Sequence, residues 1–299
     1  MTSAGQIDLT RKFGRSVSLI SWGFNEEILL EQFLDRAFAL LSDCVEDFEV
    51  VFVDDGSTDR SPEILRAYAA REPRLKVLTN EVNRNIGYSS RRAIAAATKD
   101  VIFWQTTDWS YDIRNLRIFL ELLNHFDVVQ GVRPVPIRLL SYIPVIRSIY
   151  RVRTRSDNFR KAIVSLGNYY LLRILFGVPF QDFQNVTFYP AKLLQSVELT
   201  GDSSFINPEC LFRTYERRPT YIEVPISFIP RTAGVAKGTK LSSIRRSIRD
   251  IFRAWLSWGW RQRRRNRQDS HRHIFRVWQP FHLDEEVIHL AAPLFKEFR

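Results

Sequence analysis

Four short apolar runs constrain this chain more than any other feature: residues 17–22 (VSLISW), 50–53 (VVFV), 75–78 (LKVL) and 101–104 (VIFW). Each is short and rich in β-branched or aromatic residues, the pattern of a strand covered on both faces. Helical patterns fill the gaps. Leu30, Phe33, Leu34, Ala37, Phe38 and Leu41 form one apolar stripe, Ser61-Pro62 reads as an N-cap with proline at the first helical position, and residues 89–98 read as an alanine-rich helix. The alternation predicts an α/β, Rossmann-like fold: a mainly parallel sheet with helices on both faces, binding ligands beyond the carboxyl ends of its strands. Three more strand-like runs, 127–131, 185–188 and 221–228, extend this body over residues 17–236. Residues 1–16 read as a polar leader lacking the apolar stretch of a secretory signal, and residues 237–299 as a basic tail.

Two cysteines, Cys44 and Cys210, in 299 residues exclude a disulfide framework and a structural zinc site, which fits a reducing compartment. The most apolar helical stretch, 162–180, carries Asn168 and Arg173 and breaks at Gly177 and Pro179, so it reads as a core or interfacial helix rather than a membrane span. The net charge of +11 is unevenly spread. Residues 245–276 hold 11 Arg against Asp250 and Asp269, and residues 132–161 hold seven Arg and one Lys against Asp157, so the remainder is mildly acidic.

Within the tail, Ile244, Ile248, Ile251, Phe252, Trp255 and Leu256 recur at helical spacing between Arg245, Arg246, Arg249 and Arg253. Trp258, Trp260 and the cluster Arg261, Arg263, Arg264, Arg265 and Arg267 follow. Such a helix suits an anionic membrane surface or, equally, a seat on the protein core. The first reading predicts a cytoplasmic protein peripheral on the inner face of the membrane, with a tail separable from ligand binding. Nucleic acid is not an expected partner, since the acidic strand ends would repel a phosphate backbone.

Those strand ends carry the chemistry. Glycine-rich dinucleotide and P-loop signatures and zinc spacings are absent. Present instead are Phe24-Asn25-Glu26-Glu27 after the first run, Asp54-Asp55-Gly56-Ser57-Thr58-Asp59 after the second, Asn85-Ile86-Gly87 before the third helix, and Asp108 after the fourth run. Carboxylates at strand ends can accept hydrogen bonds from a nucleobase or ribose, while Gly56 and Ser57 turn the backbone.

The ordered set SLISWGFNEE, VVFVDDGSTD, NRNIGYSSRRAIAAATKD and the aspartate after VIFWQ resembles glycosyltransferase family 2, with its A-type nucleotide-sugar fold, over roughly residues 17–237. The later segments Gly131-Val132-Arg133, Asp182-Phe183-Gln184, Glu209 and VPISFIPRTAGVAKG are most similar to the dolichyl- and polyprenyl-phosphate sugar transferases. The resemblance implies an inverting transferase using a nucleoside-diphosphate sugar, with Phe24, Glu26, Asp54, Asp55, Asn85 and Gly87 at the nucleotide. It implies Asp108 as the ligand of Mg²⁺ or Mn²⁺. Arg133, Arg231 and Lys237 would take the phosphate of a polyprenyl-phosphate acceptor. A glycan hydroxyl acceptor would instead need a carboxylate base, Asp182 or Glu209. The chain departs from the family's D-x-D at Thr106, where one carboxylate fewer weakens metal binding. That departure leaves open a catalytically impaired nucleotide-sugar-binding scaffold. Ser21 also replaces a proline common after the first strand.

Overall fold

A computed structural model of the protein describes residues 11–132, 159–227, 229, 241–267, 273–277 and 285–293. Eight strands form one sheet in the order β3-β2-β1-β4-β6-β5-β7-β8. They are β1(Val17–Gly23), β2(Phe48–Asp54), β3(Leu75–Thr79), β4(Val101–Trp104), β5(Val128–Val132), β6(Thr187–Pro190), β7(Tyr221–Pro225) and β8(Ile274–Arg276). Only β6 runs against its neighbours, β4 and β5; every other pairing is parallel. Parallel pairing needs crossovers, and the helices that provide them cover both faces.

Alternate residues of each strand point to opposite sides, so the sheet divides two apolar layers. Leu19, Val50, Phe52 and Phe103 face α1(Glu27–Cys44), α2(Ser61–Arg71) and α4(Leu116–Leu122). Ile20, Val51, Val53 and Trp104 belong to the layer of α3(Asn85–Ala96), α5(Phe159–Phe176), α6(Ala191–Gln195) and α7(Ile206–Tyr215). The α1 stripe is buried from Leu30 to Leu41 as its periodicity requires. At α2 the local chemistry differs from expectation: the Ser61 hydroxyl accepts the Glu26 N–H at 3.0 Å, and Asp59 takes over the capping role by accepting the Ser61 N–H at 2.9 Å. Among the described residues no helix is long and apolar enough to cross a membrane.

The described residues of the basic segment pack on this body. Helix α8(Leu241–Ala254) continues through a π-helical turn, Trp255–Gly259, into α9(Trp260–Asn266). Ile251 and Ala254 lie in the second apolar layer. Trp258 packs on Phe176 with ring centroids 5.2 Å apart, and the Arg213 guanidinium lies over the Trp258 ring, 4.8 Å from its centroid. Trp255 packs against the same layer, so two of the three tryptophans expected at a membrane serve the core. Beyond them, β8 pairs with β7, and Val287, Ile288 and Ala291 of α10(Glu285–Ala291) join the first layer. The described residues of this segment thus pack on the two layers of the body.

Gly259 shows how tightly the segment is seated. A Cβ there would meet Cε1 of Phe176 at 2.5 Å, and Phe176 is itself stacked on Phe212 at a centroid distance of 4.4 Å. Alanine gains about 1 kcal/mol in helix propensity, whereas overpacking a core costs about 1–3 kcal/mol. Because the Phe176 ring is held by Phe212, the clash wins. Gly259→Ala should lower stability in urea unfolding by about 1 kcal/mol; an unchanged or raised midpoint would show that the π-helical turn slides away from Phe176.

Candidate active site

Two sequence motifs interlock at the carboxyl ends of β1 and β2. The backbone N–H groups of Asn25, Glu26 and Glu27 donate to Ser57 Oγ (2.9 Å), Ser61 Oγ (3.0 Å) and Asp59 Oδ2 (3.1 Å), while Thr58 N–H donates to Asn25 Oδ1 (2.8 Å). The hydroxyls and carboxylates of this FNEE and DDGSTD pair thus replace sheet hydrogen bonds where the strands diverge. Gly56 is required in the turn: its φ is +74°, and a Cβ would lie 2.6 Å from the Val82 carbonyl carbon.

The adjacent aspartates do different work. Asp55 is buried, and its Oδ1 accepts from the Asn80 amide (2.7 Å), the Ser89 hydroxyl (2.9 Å) and the Arg84 backbone N–H (2.9 Å). It thereby joins the ends of β2 and β3 to the start of α3. Asp54 turns inward instead; its Oδ1 accepts the Ser57 N–H at 3.2 Å, and Oδ2 is buried with no partner among the described residues.

A cleft of about 340 Å³ opens above these ends. Trp22, Phe24, Glu26, Asp55 and Asn85 line one side, and Trp104, Thr106, Thr107 and Tyr111 another. Of the residues expected at the nucleotide, Phe24, Glu26, Asp55 and Asn85 therefore share the cleft, and Asp54 and Gly87 are away from its wall. Gly87 has a packing role: a Cβ would stand 2.1 Å from the Gly201 carbonyl oxygen, so only glycine lets α3 meet the 201–202 backbone.

After β4 the chain forms the loop that carries Asp108. Its Oδ1 accepts from Thr106 Oγ1 (2.5 Å), Ser110 Oγ (2.7 Å) and Ser110 N–H (3.2 Å), with Trp109 at a φ of +52° between them. Thr106 thus acts as a donor to the carboxylate it was expected to accompany. Ser21 also has a use here, its hydroxyl donating to the Gln105 carbonyl at 2.8 Å and tying β1 to this loop.

The two carboxylates considered as bases lie elsewhere. Asp182 is buried and accepts the Gln184 N–H at 3.2 Å, while its carbonyl takes the Gln130 amide at 2.6 Å. Glu209 is wholly buried and accepts from Gly201 N–H (2.7 Å), Thr200 N–H and Thr200 Oγ1 (3.0 Å). Burial raises its pKa, opposed by those donors. Neither lines the cleft; Glu209 is a buried anchor for the 200–201 loop. Arg133, Arg231 and Lys237 lie outside the described residues.

The cleft has a further wall that the strand-end motifs did not reveal. Ser203, Ser204 and Asn207 approach from the start of α7, and Ser243, Arg246 and Ser247 from α8. Their signal in the sequence is the spacing Ser243, Arg246, Ser247, Asp250, a polar stripe within a helix otherwise read for its apolar face. Asp250 accepts the Asp202 N–H at 3.1 Å, and the hydroxyls of Ser204 and Ser247 are 3.0 Å apart.

The shared acceptor at Asp55 yields a discriminating pair of variants. Asp55→Asn keeps Oδ1 and its three donors, whereas Asp55→Ala leaves buried donors unpaired at a cost of about 1–3 kcal/mol. Denaturant unfolding should therefore place Asp55→Ala well below wild type and Asp55→Asn between them; equal losses would assign the effect to charge instead.

The sequence model for Glycosyl transferase family 2 matches residues 18–173, just over half of the chain. An undecaprenyl-phosphate 4-deoxy-4-formamido-L-arabinose transferase of Edwardsiella ictaluri is 42% identical over 74 residues, 25% of this chain and 22% of that protein. The uncharacterized glycosyltransferase YkcC of Bacillus subtilis is 37% identical over 65 residues, 22% of this chain and 20% of that protein. The aligned stretch thus spans about a fifth of the length of these curated relatives. Among solved structures, glucosyl-3-phosphoglycerate synthase of Mycobacterium tuberculosis in complex with uridine diphosphate superposes with a TM-score of 0.55 at 16% identity, covering 81% of this chain and 80% of that one. A Pyrobaculum calidifontis mannosyltransferase in complex with GDP-mannose and Mn²⁺ gives 0.52 at 15%, covering 96% and 81%. These structural likenesses extend the same fold past residue 173, through the antiparallel β6 and the segments after it. The family match and the strand-end motifs together establish that the chain belongs to glycosyl transferase family 2.

Proposed function

We propose that the protein transfers a sugar, with inversion, from a nucleoside-diphosphate sugar to a polyprenyl phosphate or another membrane-associated acceptor. The observation that carries this reading is the cleft beyond β1, β2 and β4, where Phe24, Glu26, Asp55 and Asn85 converge under a glycosyl transferase family 2 match. Donor recognition draws on the complexes of the structural neighbours with UDP or GDP-mannose, and the acceptor class on the undecaprenyl-phosphate relative.

The chemistry follows from charge. An acceptor phosphate oxygen forms a bond to the anomeric carbon as the bond from that carbon to the diphosphate oxygen breaks, and the nucleoside diphosphate leaves with the electron pair. A phosphate monoester has its second pKa near about 6, so the nucleophile is already ionised at neutral pH and needs no general base. The seating of Asp182 and Glu209 away from the cleft suits this acceptor better than a glycan hydroxyl.

The residues around Asp108 fit a divalent ion of one kind. They offer a single carboxylate already engaged by Thr106 and Ser110, and among the described residues no group of three His, Cys, Asp or Glu stands ready for a metal. That donor set suits Mg²⁺ or Mn²⁺ carried mainly by phosphate oxygens and water, with Asp108 as the protein ligand. When bound, the ion would offset negative charge on the departing diphosphate. Thr106 and Ser110 hold the Asp108 carboxylate in place.

The outer face of the α8–α9 segment favours a membrane-associated acceptor. Ile248, Phe252, Leu256 and Trp260 are 43%, 45%, 67% and 44% exposed, a helical stripe flanked by Arg245, Arg249, Arg253 and Arg261. Exposed apolar residues with cations alongside suit an anionic bilayer, where each arginine near the surface adds about 1 kcal/mol. The cation cluster and apolar stripe thus support a peripheral position on the membrane.

The test uses vesicles of anionic lipid containing polyprenyl phosphate, with a panel of labelled nucleotide sugars and Mg²⁺ or Mn²⁺. Wild type should move label into the lipid fraction. Asp108→Asn should lose transfer by about a hundredfold or more, in line with loss of a transition-state electrostatic group. A Phe252→Glu/Leu256→Glu variant should lose transfer and flotation with the vesicles while retaining nucleotide binding. Full transfer by Asp108→Asn would remove it from the reaction, and full flotation of the double variant would remove this face from the membrane.

A further inference from the structure

The basic helix reaches the cleft as well as the surface. Ser243, Arg246 and Ser247 of α8 line the same cavity as Phe24, Glu26, Asp55 and Thr106, and the Arg246 guanidinium donates to Asn85 Oδ1 across the start of α3. Asn85 is held there with a φ of +70°. Two contacts fix the helix in this position: Asp202 N–H to Asp250 Oδ2 at 3.1 Å, and Ser204 Oγ to Ser247 Oγ at 3.0 Å. Asp202 is in turn paired with Arg91 of α3 at 2.8 Å. The inner face of α8 is therefore a fitted wall, with Arg246 projecting from it.

Charge inside the cleft gives that arginine a purpose. Among the described residues lining it, Arg246 is the one cation, while Glu26 and Asp55 are acids. A donor with two phosphates brings negative charge into this space, and Thr106 stands where the family's D-x-D has a metal-binding carboxylate. Arg84, close in sequence to the same α3 turn, has its guanidinium over the Tyr88 ring at 5.1 Å. A guanidinium presents a planar fork of donors matched to phosphate oxygens, and it stays charged at any working pH. Its present partner, a neutral amide oxygen, can be exchanged for a phosphate oxygen without breaking an ion pair.

We infer that Arg246 binds the diphosphate of the donor, so that the helix carrying the arginine-rich outer surface also completes the donor site from its inner face. The inference rests on the nucleotide-sugar reading and adds a residue to it. It assigns Arg246 a contact with the leaving group, supplying a fixed positive charge beside the loop of Asp108. It also explains why the segment after residue 240 is built into the body: the donor site is incomplete without it.

The experiment compares wild-type, Arg246→Ala and Arg246→Lys full-length protein, with EDTA present so that metal contributes nothing. Calorimetry measures UDP and GDP, and ligand-observed NMR measures uridine and guanosine. Loss of a charge-assisted contact should weaken the preferred diphosphate about tenfold or more in Arg246→Ala, with the nucleoside bound within about twofold of wild type. Arg246→Lys should recover part of the loss. A parallel fall for nucleoside and diphosphate would overturn the inference and make Arg246 a tether of α8 to α3, as would unchanged diphosphate affinity. Where wild type binds only with Mn²⁺ added, the same comparison of variants is made there. Wild type that binds none of a panel of nucleoside diphosphates, in EDTA or with Mn²⁺, would instead refute the nucleotide-sugar reading, and the assignment of Arg246 with it.

Discussion

Parallel strands deliver their loops to one edge of a sheet, and those loops diverge unless something holds them. Here that task falls largely to one buried oxygen, Oδ1 of Asp55, which accepts from the ends of β3 and α3 simultaneously. The 24–27 and 57–61 turns are stitched together alongside it. Burying a carboxylate is costly unless hydrogen bonds surround it, and three donors meet that requirement. The arrangement fixes the cleft floor before any ligand arrives, as a site that must distinguish one small polar molecule requires.

The second organising element is α8, which has two faces with different chemistry. Ser243, Arg246, Ser247 and Asp250 face the cleft and the 202–204 loop, and Ile248 and Phe252, with Leu256 of the following turn, face outward. Glu209 serves this wall from behind by holding the 200–201 loop, whose backbone presses so closely on α3 that Gly87 has no room for a side chain. The cleft wall and the exposed stripe thereby belong to one helical segment. An acceptor arriving from a membrane would meet the protein on the helix that also closes its donor cleft.

The first four strands, the α1 stripe and the acidic strand ends were legible in the sequence because each rests on local periodicity or on a motif at fixed spacing. Roles within motifs were less so. Asp54 and Asp55 are neighbours of identical chemistry, and only the pleat, which sends successive side chains to opposite sides, decides that one turns inward. Gly87 was placed at the nucleotide by the family resemblance, and its close packing depends on a backbone more than a hundred residues away. The basic segment was harder still. Its amphipathic pattern is compatible with a membrane or a core, and Trp255 and Trp258 could be assigned inward only once Phe176 and the second layer were in place. β8 is three residues long and pairs at the far edge, too brief a run for periodicity to stand out.

The central claim is that one donor is held jointly by the strand-end loops and by α8. Amide hydrogen exchange of the full-length protein, with and without the nucleotide sugar it prefers, tests this most directly. Because exchange reports local opening along the whole backbone, protection should appear together in residues 54–57, 83–87 and 105–107 and in residues 243–247. Protection confined to the strand-end loops, with 243–247 exchanging at the rate of the free protein, would contradict the account.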